Sequence, residues 1–143
     1  MTTALAPTLT VGEVAVGDTL PPLDVPLTRT VIVSTAIASR DYQDVHHDPE
    51  LARQKGNTDI FMNILTSNGF VGRFVTDWAG PETLLRNVAI RLGAPNYPGD
   101  TMTLTGEVTA VDSDSGEITI AVTGANSLGN HVVGTVTAVL PTA

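Results

Sequence analysis

The segment DIFMNILTSNGFVGRFVTDW, residues 59–78, determines the fold that we predict for this chain. Hydrophobic residues recur in it at the three- and four-residue spacing of a buried helical face: Ile60, Ile64, Leu65, Val71, Val75 and Trp78. Asp59 is suited to cap this helix or to lie in its first turn. Small residues in its middle, including two glycines, cost about 1 kcal/mol of helix propensity per glycine but allow another backbone to approach closely. We therefore expect a long helix enclosed by a sheet.

The sequence after this helix is rich in residues that favour β-strands. Val, Ile, Thr and Leu alternate or run together in four segments, which we predict to be strands: residues 87–92, 101–111, 117–123 and 131–140. Turn-forming residues separate them at 96–100, 112–116 and 126–130. We expect the last three strands to form an antiparallel meander.

The sequence before the long helix is less regular. We expect residues 11–26 to be an irregular lead-in, because the pair Pro21-Pro22 interrupts strand pairing. The β-branched residues 28–33 favour a strand. Ser34 or Thr35 is then expected to cap a short helix over residues 36–41.

A second short helix is predicted over residues 49–55, with its proline in the first position and a glycine after its end. One strand before a long helix and about four antiparallel strands after it give an α+β fold. We interpret residues 1–143 as a single domain and residues 1–10 as a loose N-terminus.

Composition and charge restrict the possible partners. Hydrophobic residues make up 42% of the chain and charged residues 15%, which is typical of a globular protein. No apolar run approaches the ~20 residues of a membrane helix, and no signal peptide is indicated. The formal net charge is −8, and no Lys or Arg follows Arg91. Nucleic-acid binding is therefore not expected, because phosphate contacts need clustered cations. The absence of cysteine suits a cytoplasmic protein.

The loop RDYQDVHHDP, residues 40–49, concentrates the reactive side chains. It contains two of the three histidines and three carboxylates, and it lies between two apolar segments that can hold it in a fixed cleft. A metal site is not expected, because adjacent histidines such as His46 and His47 rarely bind one ion from a common face. An aspartate followed by a histidine five positions later has little specificity by itself. His47 and Asp48 are predicted to support the loop.

This loop resembles the signature of the MaoC-like hotdog enoyl-CoA hydratases, in which such an aspartate and histidine form the catalytic pair. Asp48-Pro49, the glycine-containing helix and the segment YPGDT at 97–101 also match, so the resemblance extends from about residue 17 to residue 140. More narrowly, RDYQDVHHDPE, DIFMNIL and VTDWAGP are similar to the small catalytic subunit of the heteromeric hydratases that act on shortened sterol side-chain CoA esters. The resemblance implies a hotdog fold, an antiparallel sheet wrapped around one long central helix.

The resemblance also implies roles for individual residues. Asp41 would be the base and His46 would hold and orient a water molecule that adds to the α,β-double bond of an enoyl-CoA. The enolate oxygen would bind backbone amides at the start of the central helix, Asn63 and Ile64, where the helix dipole favours negative charge. Two departures from the family are visible: Met62-Asn63 replaces the usual His-Gly, and Gln43 in the supporting loop replaces asparagine.

No cofactor is expected, since CoA is part of the substrate. The resemblance and the missing cations predict a second, larger and more basic MaoC-like subunit, in a heterodimer or heterotetramer, that lines much of the CoA channel. Two alternatives stay open at this stage. One alternative is an acyl-CoA thioesterase that uses Asp41 as base or nucleophile. The other is a non-catalytic structural subunit of a hydratase complex.

Overall fold

One long helix, α3 (Ile64–Ala79), lies against a five-stranded antiparallel sheet. The coordinates are a computed structural model, and they describe residues 7–142. The strands are β1 (Thr19–Pro26), β2 (Leu84–Leu92), β3 (Thr101–Asp112), β4 (Glu117–Asn126) and β5 (Gly129–Val139), arranged in the order β1-β3-β4-β5-β2. This is the α+β arrangement that the sequence predicts, and β3, β4 and β5 form the expected meander.

The core lies between α3 and the sheet. Val71, Phe74 and Val75 of α3 are buried against the sheet side chains. At Gly106 of β3, an added Cβ would lie 2.9 Å from the ring of Phe74, so only glycine allows the helix this close to the strand. Of the two glycines of α3, Gly72 serves close packing, since an added Cβ there would lie 3.2 Å from Leu85, whereas one at Gly69 would meet no atom within 4 Å. Ile64 and Leu65, assigned to the buried face, are about half exposed.

The prediction of an irregular lead-in over residues 11–26 is wrong for its second half. Residues Thr19–Pro26 form β1, which pairs with β3. The register shifts between Leu20 and Leu23, so the two intervening prolines occupy an irregularity. Because β1 is at the edge of the sheet, it needs hydrogen bonds on one side only and tolerates these prolines.

The predicted strand over 28–33 is also wrong, because these residues belong to α1 (Arg29–Ala38). The hydroxyl of Thr28 caps this helix by accepting a hydrogen bond from the amide of Val31 at 3.0 Å. The helix buries Ile32 and Ala36, four residues apart on one face. Burial of that face outweighs the strand preference of the β-branched residues. The predicted helix over 36–41, with Ser34 or Thr35 as its cap, is replaced by the end of α1.

The short helix α2 (Pro49–Gln54) is confirmed, but the long helix starts later than predicted. Asn63, not Asp59, is the N-cap of α3. Asp59 instead accepts a hydrogen bond from the guanidinium of Arg29 at 3.0 Å. Residues 60–62 therefore lie outside the helix, between Asp59 and the Asn63 cap.

Only part of the predicted loose N-terminus lies within the described residues, since 1–6 fall outside them. The amide of Leu9 donates to the carbonyl of Ala79 at 2.8 Å, and the hydroxyl of Thr8 accepts from the amide of Glu82 at 3.0 Å. Residues 8 and 9 are therefore fixed to the end of α3. Among residues 7–142, no helix has the length and hydrophobicity needed to cross a membrane.

Candidate active site

The end of α1 presents Asp41. The amide of Arg40 donates to the carbonyl of Ile37 at 2.9 Å. The amide of Asp41 reaches back to the carbonyl of Ala36, also at 2.9 Å. This pair of bonds is a Schellman motif, which requires a left-handed residue after the helix cap. Arg40 takes that conformation with φ 58°, although glycine is usual there. The turn directs the chain away from the helix at Asp41.

His46 is held in a single orientation opposite Asp41. It ends a turn of 3-10 helix, Asp44–His46, and is 6% exposed. Its Nδ1–H donates to the carbonyl of Phe61 at 2.7 Å, because a carbonyl can only accept. In the neutral imidazole, Nε2 is then an unprotonated acceptor. Nε2 lies 3.3 Å from Oδ2 of Asp41, so two acceptors face each other across a short gap.

The carboxamide of Asn63 connects Asp41 to the start of α3. Its Nδ2 donates to Oδ2 of Asp41 at 3.0 Å and to Oγ of Ser39 at 2.9 Å. Its Oδ1 accepts from the amide of Thr66 at 3.0 Å and caps the helix. The sequence interpretation gave Asn63 a role for its backbone only and missed this side-chain contact. Because asparagine is a favoured N-cap residue, the sequence could have indicated that Asn63 caps α3. Nothing in the sequence indicated its hydrogen bond to Asp41.

These contacts keep the carboxylate of Asp41 ionised. The hydrogen bond from Asn63 is the largest influence that lowers the pKa of Asp41, and partial burial opposes it. The hydrogen bond from the amide of Gln43 lowers this pKa further. A carboxylate that accepts hydrogen bonds in this way is available as a base at neutral pH.

The three predicted supporting residues all contact the loop. The backbone amide of Gln43 donates to Oδ1 of Asp41 at 3.2 Å. The ring of His47 donates through Nε2–H to the carbonyl of Asp41 at 2.7 Å. The carboxylate of Asp48 caps α2 by accepting from its first amides, at 2.9 and 3.1 Å. Together these bonds fix the backbone on both sides of the Asp41–His46 pair.

The first turn of α3 carries backbone amides that can bind an anion. The amide of Thr66 is used by the cap. Those of Asn63, Ile64 and Leu65 have no acceptor among residues 7–142. Asn63 is only 2% exposed as a whole residue, which buries its amide, whereas Ile64 is 49% exposed. The positive end of the helix dipole adds to the attraction.

A second polar pair lies beneath α3 and was not foreseen from the sequence. The hydroxyl of Ser67 and Nε2 of His131 are 2.7 Å apart, and Nδ1–H of His131 donates to the carbonyl of Ala94 at 2.7 Å. Both side chains are at most 2% exposed, so they cross-link the helix and β5 rather than meet a substrate. Burial lowers the pKa of His131, and the bond to Ala94 only partly offsets this. Because Ser67 and His131 are 64 residues apart, no local sequence pattern indicates that they are in contact.

Metal-ligating side chains do not cluster in the part of the chain that the structure describes. No group of three or more His, Cys, Asp or Glu residues there is arranged to hold an ion. The expectations of a site without metal and without cofactor stay predictions.

Comparison with known proteins supports a common origin along most of the chain. A family model described as the MaoC like domain matches residues 13–130. The 3-oxo-4,17-pregnadiene-20-carboxyl-CoA hydratase beta subunit of Mycobacterium tuberculosis is 54% identical over 121 residues, which are 85% of this chain and 92% of that protein.

Solved structures agree with this relationship. A chain of the ChsH1-ChsH2 complex from Mycobacterium tuberculosis is 52% identical, with a TM-score of 0.86 and coverage of 89% of this chain and 98% of that chain. The R-hydratase PhaJ1 from Pseudomonas aeruginosa shares the fold at only 19% identity, with a TM-score of 0.86 and coverage of 95% and 88%. The expected hotdog fold and enoyl-CoA hydratase class are confirmed. By sequence and by structure, this chain belongs to the MaoC-like domain family.

Proposed function

We propose that this chain is the catalytic subunit of a complex that hydrates a steroid enoyl-CoA with a shortened, three-carbon side chain to the 3-hydroxyacyl-CoA. The observation that carries the proposal is the geometry of Asp41 and His46. Their Oδ2 and Nε2 atoms lie 3.3 Å apart, and the bond from His46 to Phe61 leaves both atoms as acceptors. Two acceptors side by side suit one water molecule, which can donate a hydrogen to each.

In the proposed reaction, the water oxygen attacks the β-carbon of the enoyl thioester while Asp41 removes one of its protons. His46 accepts the second hydrogen bond and orients the water. The electrons of the double bond move onto the thioester oxygen to form an enolate. The proton held by Asp41 is then delivered to the α-carbon on the same face, which restores the carboxylate and completes the addition.

The enolate oxygen is stabilised at the start of α3. The amides of Ile64 and Leu65 are the donors assigned there, because these two residues are about half exposed and Asn63 is largely buried. Donors fixed in place before the reaction are effective because they need no reorganisation as charge develops. The exchange of the family's glycine for Asn63 keeps the backbone amide and adds the carboxamide that holds Asp41.

The choice of a steroid acyl group rests on the relative at 54% identity, whose name gives a pregnadiene carboxyl-CoA substrate. CoA enters as part of the substrate, and no separate cofactor is proposed. A cytoplasmic location belongs to the same proposal, since acyl-CoA thioesters are substrates of that compartment.

A second, larger MaoC-like subunit completes the enzyme in this proposal. Strand β2 lies at one edge of the sheet, and all nine of its residues are at least partly exposed. The opposite edge strand, β1, carries three prolines that limit further pairing. Strand β2 also exposes Leu84, Leu85 and Leu92. An unpaired edge with exposed leucines supports a sheet that continues into a partner, and the net charge of −8 favours a basic one.

Product analysis by mass spectrometry tests this function. The chain is assayed with and without a co-expressed candidate partner on 2-enoyl-CoAs that range from short acyl groups to steroids. We expect a mass increase of one water, fastest with the steroid substrate and the partner present. Release of free CoA thiol without hydration would instead identify a thioesterase. Full activity of the chain alone at micromolar substrate would overturn the proposed requirement for a partner.

A further inference from the structure

An apolar groove of about 320 Å³ lies between α1 and α3, beside the catalytic loop. Ala38 and Ser39 line one wall, and Leu65, Thr66, Gly69 and Phe70 line the other. Leu65 is 53% exposed in spite of its apolar side chain. A hydrophobic side chain left exposed next to a reactive site is suited to contact an apolar part of a substrate.

The groove borders the candidate active site. Oγ of Ser39 accepts a hydrogen bond from Nδ2 of Asn63 at 2.9 Å, and the same nitrogen donates to Asp41 at 3.0 Å. On the opposite wall, Leu65 carries one of the amides in the first turn of α3 that have no acceptor among residues 7–142. A thioester bound at those amides would therefore have the groove immediately beside it.

Gly69 keeps the groove open. An added Cβ would meet no atom within 4 Å, and the backbone is helical, so neither packing nor a left-handed conformation requires glycine here. Glycine inside a helix lowers helix stability relative to alanine. Among residues 7–142, the effect of Gly69 is that no side chain projects from this position into the groove. Because the packing of this chain does not require the open space beside Gly69, we infer that another molecule occupies it.

Thr66 leaves an unsatisfied polar atom inside this wall. The residue is 6% exposed, and its hydroxyl makes no hydrogen bond to any group in residues 7–142. A buried polar atom without a partner is unfavourable and uncommon in native proteins.

We propose that this groove binds the acyl group of the enoyl-CoA and that Gly69 gives it the width for a bulky polycyclic acyl group. The inference rests on the function proposed above and adds to it the acyl subsite and a residue that determines specificity. A larger side chain at position 69 would fill the groove, whereas the groups that activate water would be unchanged.

Gly69→Leu tests the proposal in the full-length chain co-expressed with its partner. Isothermal titration calorimetry measures the affinity for a saturated polycyclic acyl-CoA and for butyryl-CoA, and hydration is assayed on the corresponding enoyl-CoAs. We expect at least a tenfold loss of affinity, and a matching rise in KM, for the polycyclic ligand. The values for the four-carbon ligand should change less than twofold. Gly69→Ala should give an intermediate loss.

Ala38→Leu fills the groove from the opposite wall and should show the same discrimination, which provides a second test if Gly69→Leu fails to fold. Ser34→Leu, on α1 but outside the groove, is the matched control and should behave as wild type. If Gly69→Leu and Ala38→Leu lower the affinity for both acyl-CoA ligands equally, or for neither, the groove does not bind the acyl group. Loss of partner binding by Gly69→Leu in gel filtration would also overturn the assignment. Selective binding without any hydration would uphold the groove and overturn the proposed hydratase reaction.

Discussion

Asn63 joins two functions that the sequence presents separately, the capping of α3 and the ionisation of Asp41. One carboxamide accepts from the amide of Thr66 and donates to the carboxylate of Asp41. The catalytic loop and the helix start are thereby fixed to each other. A shift of the helix would therefore move Asp41 together with the backbone amides that we propose bind the enolate.

Substitution of Asn63 should change the pH dependence of hydration. Its hydrogen bond stabilises the ionised form of Asp41 and lowers that pKa, so loss of the bond raises it. Because Asp41 acts as a base only when ionised, the acidic limb of the kcat/KM profile should move to higher pH. Asn63→Ser removes the donor, and Asn63→Asp also adds a like charge, so the shift should be larger for Asn63→Asp.

Both replacements are good N-cap residues, so the stability of α3 should be nearly retained. Thermal unfolding monitored by circular dichroism provides that control. An acidic limb that stays at the wild-type pH in both variants would show that the bond from Asn63 does not govern the base.

The proximity of Asp41 and His46 could be predicted from the sequence because their spacing and flanking residues are local. Asn63 lies 22 residues from Asp41, and Ser67 lies 64 residues from His131. Contacts between residues so far apart depend on how the helices and strands pack, which no local pattern records. The left-handed conformation of Arg40 was missed for a related reason, since glycine is the usual signal for it.

The secondary-structure elements likewise differ in whether local sequence or tertiary packing determines them. Strands β3 to β5 could be predicted because turn residues and β-branched runs agree there. Helix α1 could not, because its residues favour strands and the helix gains its stability from the Thr28 cap and from burial of Ile32 and Ala36. β1 was missed since its prolines are tolerated only at an edge, and the position of a strand in the sheet is a property of the fold.

The link between α3 and β5 through Ser67 and His131 should make stability depend on pH. Burial lowers the pKa of His131 in the folded protein, while the unfolded chain keeps a value near 6.5. The unfolded state therefore binds more protons as the pH falls below about 6.5, and the free energy of unfolding decreases on acidification. His131→Gln, whose amide oxygen can still accept from Ser67, should show a weaker decrease.

Urea denaturation at a series of pH values between about 5 and 8 measures this dependence. The carboxylates with lowered pKa, such as Asp41, lose their contribution only at still lower pH, below their ordinary value of 3.8. The two effects are thus separated on the pH scale. Identical slopes for wild type and His131→Gln over this range would contradict the assignment to His131.

Assembly with a partner should depend on the β2 edge of the sheet. Leu84 is 54% exposed there, and a charge at this position would have to be buried on pairing. We expect Leu84→Lys to weaken co-purification of the partner at least tenfold and to leave the stability of the isolated chain within about 0.5 kcal/mol. Val16, which precedes β1 at the opposite edge and is 64% exposed, provides the control Val16→Lys. Equal retention of the partner by both variants would place the interface elsewhere.

The proposed hydration reaction requires one water molecule that Asp41 and His46 share. A double-mutant cycle on kcat, with Asp41→Asn, His46→Ala and the double variant in the active complex, tests this directly. Each single substitution should lower kcat by ~10²–10⁴-fold, the usual contribution of a positioned base. The double variant should be scarcely slower than either single variant, because groups that act as a unit give non-additive losses. Losses that multiply in the double variant would contradict a shared water and assign independent roles to the two side chains.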